Sequence, residues 1–341
     1  MQSILVTGGA GFIGSNFVRH VIQNRAYQVI NLDVLSYSGN PENLTDLQDE
    51  PRHRFVPGDI NDGALLDQLL PGCDAVVHFA AESHVDRSII DCSPFIKANV
   101  LGTQSLLDAA RRHQVGRFVH VSTDEVYGSL PLEPRDAKFT EDNPIQPNSP
   151  YAASKAASDL LVLAYHETYG MDVCVTRCSN NYGPYQFPEK LIPLFVTNLI
   201  DGRKVPLYGD GQNVRDWIHV LDHCEAVLSV LEKGAAGRTY NVGGDNEWSN
   251  LDLTRLVLEI MGAGEDQIEY VKDRPGHDRR YAIDAGRIQS ELGWQPQHTD
   301  FRAAVEQTIQ WYRDHEQWWR RVKSGVYRDV VDRLYSTSTN G

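Results

Sequence analysis

The stretch Ser3-Ile-Leu-Val-Thr-Gly-Gly-Ala-Gly-Phe-Ile-Gly14 decides the fold class of this sequence. An apolar run, predicted to be a strand over residues 3–7, leads into Gly8, Gly11 and Gly14, and an amphipathic helix is predicted over residues 12–22. Glycines at such a turn let the backbone approach a pyrophosphate at the positive end of the helix. The stretch therefore predicts a dinucleotide site, with a plain strand-to-helix turn as the alternative.

An acidic residue in the right place supports the dinucleotide interpretation. Asp33 ends the second predicted strand, about 20 residues after the glycines, where an acid that binds ribose hydroxyls is expected. Such a carboxylate repels a 2′-phosphate, and the following Val34, Leu35 and Ser36 provide no compensating cation. The sequence therefore favours NAD over NADP.

Strands and helices alternate regularly through the first half of the chain. Strands are predicted near residues 28–32, 54–56, 75–79, 117–122 and 173–177, and further helices over 94–113 and 149–169. This alternation predicts an α/β fold with a doubly wound parallel Rossmann sheet. In the helix over 94–113, apolar residues recur at helical spacing, at Ile96, Val100, Leu106, Leu107 and Ala110.

The alternation breaks down after about residue 180, where proline and glycine become frequent and residues 205–208 and 239–242 look like isolated strands. We expect an NAD-binding domain over 1–180, to which some later segments return. A smaller, mixed C-terminal domain that holds the substrate would cover 181–330, and a polar tail 331–341.

Composition excludes several classes of function. The 341 residues carry a net charge of −14, which argues against nucleic-acid binding through a basic face. No apolar run is long enough for a membrane span, and the first strand begins too early to leave room for a signal peptide. Five cysteines without a C-x-x-C pair suggest a reducing compartment, so a cytoplasmic protein is expected.

Two further motifs carry candidate chemistry. Tyr151 and Lys155 lie four residues apart at the start of a predicted helix, so they share one face. A nearby ammonium and the helix N-terminus are both expected to lower the pKa of the tyrosine, although Y-x-x-x-K also occurs by chance as a surface pair.

Thr123, Asp124 and Glu125 follow the fifth strand at the same edge of the sheet. Two adjacent carboxylates could be ordinary turn residues, or could serve as an acid and a base.

These motifs together resemble the dTDP-glucose 4,6-dehydratase family of extended short-chain dehydrogenase/reductases. The resemblance runs from Ile4 to about Trp294. It is carried by the glycine spacing G-x-x-G-x-x-G, by AAESHVDRS at 80–88, VSTDEVYG at 121–128, YAASK at 151–155, RCSNNYGPYQFPEKLIP at 177–193 and DRPGHDRR at 273–280.

The resemblance implies dehydration of dTDP-glucose to dTDP-4-keto-6-deoxyglucose. Tyr151 would take the proton of the 4-hydroxyl, held by Thr123, while a hydride passes from C4 to NAD⁺. Glu125 would remove the C5 proton and Asp124 would protonate the departing 6-hydroxyl, after which the hydride returns to C6. Lys155 completes the catalytic set.

The resemblance also assigns binding residues. The cofactor would contact Gly8, Gly11, Phe12, Ile13, Gly14, Asp33, Ser36, Asp59, Ile60, Ala80, Ala81, Ser83, Tyr151, Lys155 and Asn181. The nucleotide sugar would contact His84, Thr123, Asn180, Lys190, Leu191, Pro206, Tyr208, Arg215, Asn250, Asp273, His277 and Arg279. Several have simpler alternatives: Asn180 as a turn cap, Arg215 as a partner of Asp216, and His277 as a surface histidine.

Related enzymes dimerise through the helix that carries the tyrosine and the helix before the fifth strand, so a homodimer is expected. Small residues at 152, 153, 156 and 157 permit such close contact, although they could also pack inside one subunit.

His78 and His84 lack metal-ligand spacing, and no metal is expected. The competing functions are a nucleotide-sugar 4-epimerase, which has no use for Asp124 and Glu125, and a non-catalytic protein that binds NAD and a sugar nucleotide.

Overall fold

The computed structural model describes residues 1–273 and 275–325. Its strands are β1 Ser3–Thr7, β2 Gln28–Asp33, β3 His53–Pro57, β4 Ala75–His78, β5 Arg117–Thr123, β6 Val173–Cys178, β7 Asn180–Tyr182, β8 Val205–Tyr208, β9 Val214–His219, β10 Arg238–Val242, β11 Glu247–Ser249 and β12 Ile268–Val271. Its α-helices are α1 Phe12–Asn24, α2 Gly63–Leu69, α3 Val85–Ile90, α4 Ser93–Phe95, α5 Gly102–Arg112, α6 Pro150–Tyr169, α7 Leu191–Ile200, α8 Val220–Lys233, α9 Asn250–Met261, α10 Gly286–Leu292, α11 Phe301–Asp314 and α12 Glu316–Ser324.

Seven of these strands form a parallel sheet in the order β10-β6-β5-β4-β1-β2-β3. The order reverses between β1 and β4, and at such a switch point loops diverge from the carboxyl ends of the strands and open a crevice for a ligand. The predicted doubly wound Rossmann sheet is confirmed.

Alternating side chains of the strands build a core on each face of this sheet. Val6 and Val119 lie on the face covered by α1 and α8, whereas Leu5 and Phe118 lie on the face covered by α2, α5 and α6. All four side chains are fully buried. Both faces are therefore apolar, which explains why the strands read as continuous apolar runs.

Two small sheets and a separate apolar core follow in the second half. Strands β11, β9 and β7 form a mixed sheet, and β12 pairs with β8 in parallel. Their core contains Tyr182, Phe195, Trp217 and Trp319, packed among helices α7, α9, α11 and α12. The domain boundary near residue 180 stays a prediction, and the tail over 331–341 lies outside the described residues.

Two expectations about single elements are wrong. Residues 239–242 are not an isolated strand, because β10 pairs with β6 at the edge of the large sheet. Residues 180–219 add three further strands between β6 and α8. The sequence therefore does not show that β6, α8 and β10 form one β-α-β crossover. Residues 205–208 are likewise paired, with β12.

The predicted helix over 94–113 is also not uniform. A π-helical turn over Ile96–Leu101 separates α4 from α5. A π turn rotates the helix face by an extra residue, so Ile96 is exposed while Asn99 points inward and is 1% exposed. The apolar spacing that suggested a buried Ile96 therefore fails at this turn.

Within residues 1–273 and 275–325, none of the helices is long and apolar enough to cross a membrane.

Candidate active site

A cavity of about 480 Å³ opens at the carboxyl ends of the strands, above the switch point between β1 and β4. The structure places every residue expected to contact the cofactor along its wall: Gly8, Gly11, Phe12, Ile13, Gly14, Asp33, Ser36, Asp59, Ile60, Ala80, Ala81, Ser83, Tyr151, Lys155 and Asn181. Thr123, Asp124 and Glu125 line the same cavity. The residues expected to contact the cofactor and the residues expected to carry out the elimination therefore line the same cavity.

The turn between β1 and α1 forms the floor of the cavity and requires glycine for steric reasons. Gly8 has φ +73°, and a Cβ there would lie 2.6 Å from the backbone nitrogen of Ala80. A Cβ on Gly14 would lie 2.2 Å from the carbonyl oxygen of Gly8. The start of α1 is thus pressed against β1, with its N-terminal amides at the cavity. This arrangement suits a diphosphate.

Asp33 stands at the end of β2 with its carboxylate held by backbone amides. Its Oδ2 accepts from Ala10 N at 2.9 Å and its Oδ1 from Leu35 N at 2.8 Å. Burial raises the pKa of Asp33, and these two amides act in the opposite direction. With the glycine turn beside it, this acid gives the cavity the features that an NAD-type dinucleotide needs.

Some residues of the cavity wall were not predicted from the sequence. Tyr37, Asn43 and Trp318 line it, and the indole Nε1 of Trp318 donates to Asn43 Oδ1 at 2.9 Å. Trp318 lies in α12, beyond the segment that carried the family resemblance. The amphipathic pattern of residues 318–322 predicts a helix, but no local signal says which wall that helix covers.

Helix α6 positions the tyrosine and the lysine. Ser149 caps it by accepting from Ala152 N at 3.1 Å, and Pro150 occupies its first turn. Tyr151 and Lys155 follow one turn apart, both nearly buried. The ammonium of Lys155 donates to the carbonyl of Val121 at 2.8 Å, which ties α6 to the end of β5.

The segment VSTDEVYG leaves β5 as a 3₁₀ turn over Asp124–Tyr127. Thr123 caps this turn by accepting from Glu125 N at 3.3 Å, and its hydroxyl donates to Asp124 Oδ1 at 3.3 Å. Asp124 is 2% exposed, whereas Glu125 is partly exposed. Turn geometry therefore explains the cap, but it does not explain why a carboxyl group is buried at this point.

Burial separates the chemistry of the two acids. Loss of hydration raises the pKa of Asp124 well above its usual range, and the charges of Glu125 and Asp216 act in the same direction. Asp124 Oδ2 has no hydrogen-bond partner within the described structure. The raised pKa favours the protonated form of this carboxyl group, which can donate a proton.

The expected lowering of the tyrosine pKa does not occur in this structure. Burial raises the pKa of Tyr151 well above its usual range, and Glu125 adds to this effect, while a hydrogen bond with Thr123 opposes it. Loss of hydration, which penalises the charged phenolate, is the largest of these effects.

The candidate substrate residues form two groups. His84, Thr123, Asn180 and Lys190 line the cavity, and Lys190 Nζ donates to the carbonyl of Ser83 at 3.2 Å. Asn180 opens β7. The structure does not place the other candidates on the cavity wall: Leu191, Pro206, Tyr208, Arg215, Asn250, Asp273, His277 and Arg279.

Several of the residues outside the cavity contact each other in the second half of the chain. His277 Nδ1 lies 2.6 Å from Asp273 Oδ1, and its ring lies edge-on to Tyr208 at 6.2 Å. The side chain of His277 is 6% exposed, so it is not a surface histidine. Arg215 is buried and donates to the carbonyls of Val214 and Asp278.

Comparison with known proteins supplies the family. The sequence profile of a family described as GDP-mannose 4,6 dehydratase matches residues 5–308. A dTDP-glucose 4,6-dehydratase from Streptomyces niveus is 54% identical over 94% of this chain and 96% of its own length. The crystal structure of a dTDP-glucose 4,6-dehydratase from Streptomyces venezuelae, solved with NAD bound, has a TM-score of 0.91 at 54% identity and covers 94% of this chain and 100% of that chain.

An epimerase is more distant. A UDP-glucuronic acid 4-epimerase from Bacillus cereus, also solved with NAD, has a TM-score of 0.86 but only 27% identity, covering 92% of this chain and 99% of that chain. The resemblance inferred from the motifs is thus confirmed. This chain belongs to the GDP-mannose 4,6 dehydratase family, and relatives that are 51% and 54% identical to it are dTDP-glucose 4,6-dehydratases.

Proposed function

We propose that this protein is an NAD-dependent lyase that converts dTDP-glucose to dTDP-4-keto-6-deoxyglucose. The observation that carries the proposal is the buried Asp124, whose pKa is raised, beside the partly exposed Glu125 in a cavity that also contains Tyr151. Removal of water needs a proton donor and a proton acceptor near one another, and these two carboxyl groups differ in the required way.

The first step is proton removal from the sugar 4-hydroxyl. Tyr151 receives this proton, and Thr123, whose hydroxyl lies at the same strand end, holds the sugar oxygen. The glycine turn and Asp33 would hold NAD, which would supply the hydride acceptor for C4 and the hydride donor for C6. Lys155 presents its ammonium at the same wall, where a positive charge favours a phenolate.

Elimination of water follows at C5 and C6. The ketone at C4 acidifies the C5 proton, which Glu125 removes as the base. Asp124 donates its proton to the 6-hydroxyl, which departs as water. When C6 receives the hydride, the proton held by Glu125 returns to C5, which completes the 6-deoxy product. The two roles match the different burial of the two side chains.

The nucleotide end of the substrate is assigned to the second half of the chain. Lys190 and Arg215 are the cationic candidates for the diphosphate, and an arginine offers bidentate hydrogen bonds to phosphate oxygens. Tyr208 would flank the base, and His277, whose ring contacts Tyr208, would lie near the sugar and phosphates. This assignment is supported by the ring contact between them and by the position of Lys190 at the cavity wall.

Mass spectrometry after incubation with dTDP-glucose and NAD tests the proposal. A dehydratase yields a product lighter by one water, whereas a 4-epimerase yields dTDP-galactose of unchanged mass. A non-catalytic binding protein leaves the substrate unaltered. An unchanged mass together with a new sugar configuration would refute the dehydratase proposal, and competition with UDP-glucose would report the base preference.

The double variant Asp124→Asn with Glu125→Gln tests the division of labour. We expect reduction of bound NAD on addition of dTDP-glucose, because Tyr151 and Thr123 are intact, but no loss of water. Full formation of the lighter product by this variant would contradict the roles given to the two carboxyl groups. The single variants show which of the two steps limits the elimination.

We also propose that the protein is a cytoplasmic homodimer. A homodimer is supported by large apolar side chains exposed along α6 and the π turn before α5, namely Leu160, Ile96 and Leu101. Ala152 and Ala156 pack inside the subunit, whereas Ala153 is exposed on the same helix as Leu160. A cytoplasmic location is supported by the five free cysteines, which suit a reducing compartment.

A further inference from the structure

A buried chain of polar groups extends from Lys155 away from the cavity. Helix α6 places Tyr151, Lys155 and Asp159 at intervals of four residues, so all three lie along one face. Asp159 is fully buried, and the mechanism above does not use it. Asp159 does not line the cavity, so its carboxylate acts on neighbouring groups and not directly on the substrate.

His120 connects the two charged groups of this helix. Its Nε2 lies 3.5 Å from the ammonium of Lys155 and 3.5 Å from Oδ1 of Asp159. One ring nitrogen thus lies between a cation and a carboxylate, in a site where all three side chains are almost inaccessible. On the far side, Asp159 Oδ2 accepts from Arg177 Nε at 2.9 Å.

We infer that Asp159, acting across the ring of His120, is the counter-ion that keeps Lys155 protonated, and that His120 positions the ammonium. A buried ammonium without a counter-charge loses its proton readily. Burial lowers the pKa of Lys155 to about 8, and the charge of Asp159 opposes this effect. Burial lowers the pKa of His120 to about 4, so its ring is neutral and serves as a spacer.

Other ionisable groups surround this site on every neighbouring element. Arg177 and Cys178 come from β6, His78 from β4 and Tyr127 from the turn after β5. Burial alone raises the pKa of Asp159, but contact with His120 and the charge of Arg177 bring it below its usual value. Asp159 is therefore the ionised carboxylate of this group, and Arg177 is its structural partner.

The inference rests on the proposed function, because it concerns the step in which Tyr151 ionises. Loss of the Asp159 charge makes Lys155 and Tyr151 both easier to deprotonate. The species with a charged lysine and a phenolate then occurs at lower pH. It also becomes scarcer, because Lys155 lies closer to Asp159 than Tyr151 does and its pKa therefore falls further. The pH optimum of NAD reduction should move down and its maximum should fall.

Single-turnover reduction of NAD by dTDP-glucose, followed against pH, tests this. All variants are made in the background of Asp124→Asn with Glu125→Gln, so that later steps do not interfere. For Asp159→Asn we expect the bell-shaped profile to move down by about one pH unit, as for loss of a neighbouring charge. Substrate affinity should be unchanged, and Asp159→Glu should restore the profile in part.

Arg177→Lys is the matched control. It disturbs the same ion pair and lowers stability but leaves the carboxylate in place, so its profile should keep the parent's position. A purely structural defect in Asp159→Asn would lower the rate of NAD reduction without moving the pH profile. If that is the result, the inference is wrong.

If Asp159→Asn does not fold, His120→Asn provides the test. This variant changes no charge, because the ring of His120 is neutral. We expect its maximum rate of NAD reduction to be lower, while the pH of that maximum and the substrate affinity stay unchanged. An unchanged maximum overturns the inference. If the parent enzyme forms no dehydrated product at all, the proposed function fails instead, which separates the two conclusions.

Discussion

At the scale of single residues, the site depends on a phenol that is difficult to ionise. Tyr151→Phe removes the proton acceptor without changing the shape of the ring. We expect turnover to fall by about 10²- to 10⁴-fold, the usual contribution of general acid–base catalysis, with little change in substrate affinity. Product formation and equilibrium binding of dTDP-glucose measure the two quantities.

Tyr165→Phe is the control on the same helix. Its hydroxyl donates to Asp108 at 2.7 Å, fourteen residues further along α6 than Tyr151 and outside the residues that line the cavity. Loss of that bond should cost about 1 kcal/mol of stability and leave turnover intact. Equal activity losses in both variants would mean that helix α6, rather than the Tyr151 hydroxyl, is the sensitive feature.

The buried acid also has a stability effect with a definite sign. Unfolding releases Asp124 to its ordinary pKa of 3.8, so above that pH the unfolded chain loses a proton that the folded protein keeps. The unfolded state then binds fewer protons, and stability falls as pH rises towards the folded pKa. Asp124→Asn should raise the melting temperature at neutral pH while it slows dehydration.

Thermal melts of both proteins from pH 4 to pH 8 measure this effect. The gap between variant and parent should widen with increasing pH and then level off. A gap that is constant, or that closes as pH rises, would show that Asp124 is already ionised in the folded protein.

At the scale of elements, the first turn is a steric fit between β1, α1 and β4. Gly14→Ala would place a methyl group 2.2 Å from the oxygen of Gly8. We expect a loss of about 1 to 3 kcal/mol of stability, as in other overpacked sites, together with loss of NAD binding. Calorimetric titration with NAD and chemical denaturation measure these effects.

Gly63→Ala is the matched control, since a Cβ there meets no atom within 4 Å. In the first turn of α2 this change should be neutral or stabilise the protein by about 0.4 to 1 kcal/mol. NAD binding should be unaffected. If Gly14→Ala also bound NAD normally, the glycine turn would not form the cofactor floor.

Sequence reasoning succeeded for elements whose signals are local. The glycine turn, the start of α6 and the acid at the end of β2 all depend on neighbouring residues. It failed at the π turn, because an extra residue in a helix leaves no pattern of its own. Yet that turn directs Asn99 inward, where its side-chain oxygen accepts from Glu82 N at 2.8 Å and secures the loop that lines the cavity.

At the scale of the whole molecule, the parts that sequence could not supply are long-range. β10 returns to the large sheet after an insertion, and α12 reaches the cavity from the end of the described chain. The contacts of Arg215 with Asp278 and of His120 with Asp159 likewise join distant segments. No residue pattern specifies such partners before the topology is known.

Association of two chains is tested by placing a charge on the exposed apolar face. Leu160, which is 57% exposed on α6, is changed to glutamate. We expect a monomer in sedimentation velocity, because two like charges would be buried against an apolar surface. Tyr270→Glu, on β12 and 59% exposed, should leave the mass of the particle unchanged. Dimers of Leu160→Glu would place the interface elsewhere.

The contribution of Trp318 and Val322 to the cavity wall has a consequence for biosynthesis. The glycine turn is translated early, but the part of the wall that Trp318 forms beside Asn43 is missing until α12 has been translated. A nascent chain therefore carries an open, hydrated cofactor groove until α12 has emerged. Tight retention of the dinucleotide then requires this helix, so cofactor loading would report that translation has passed Ser324.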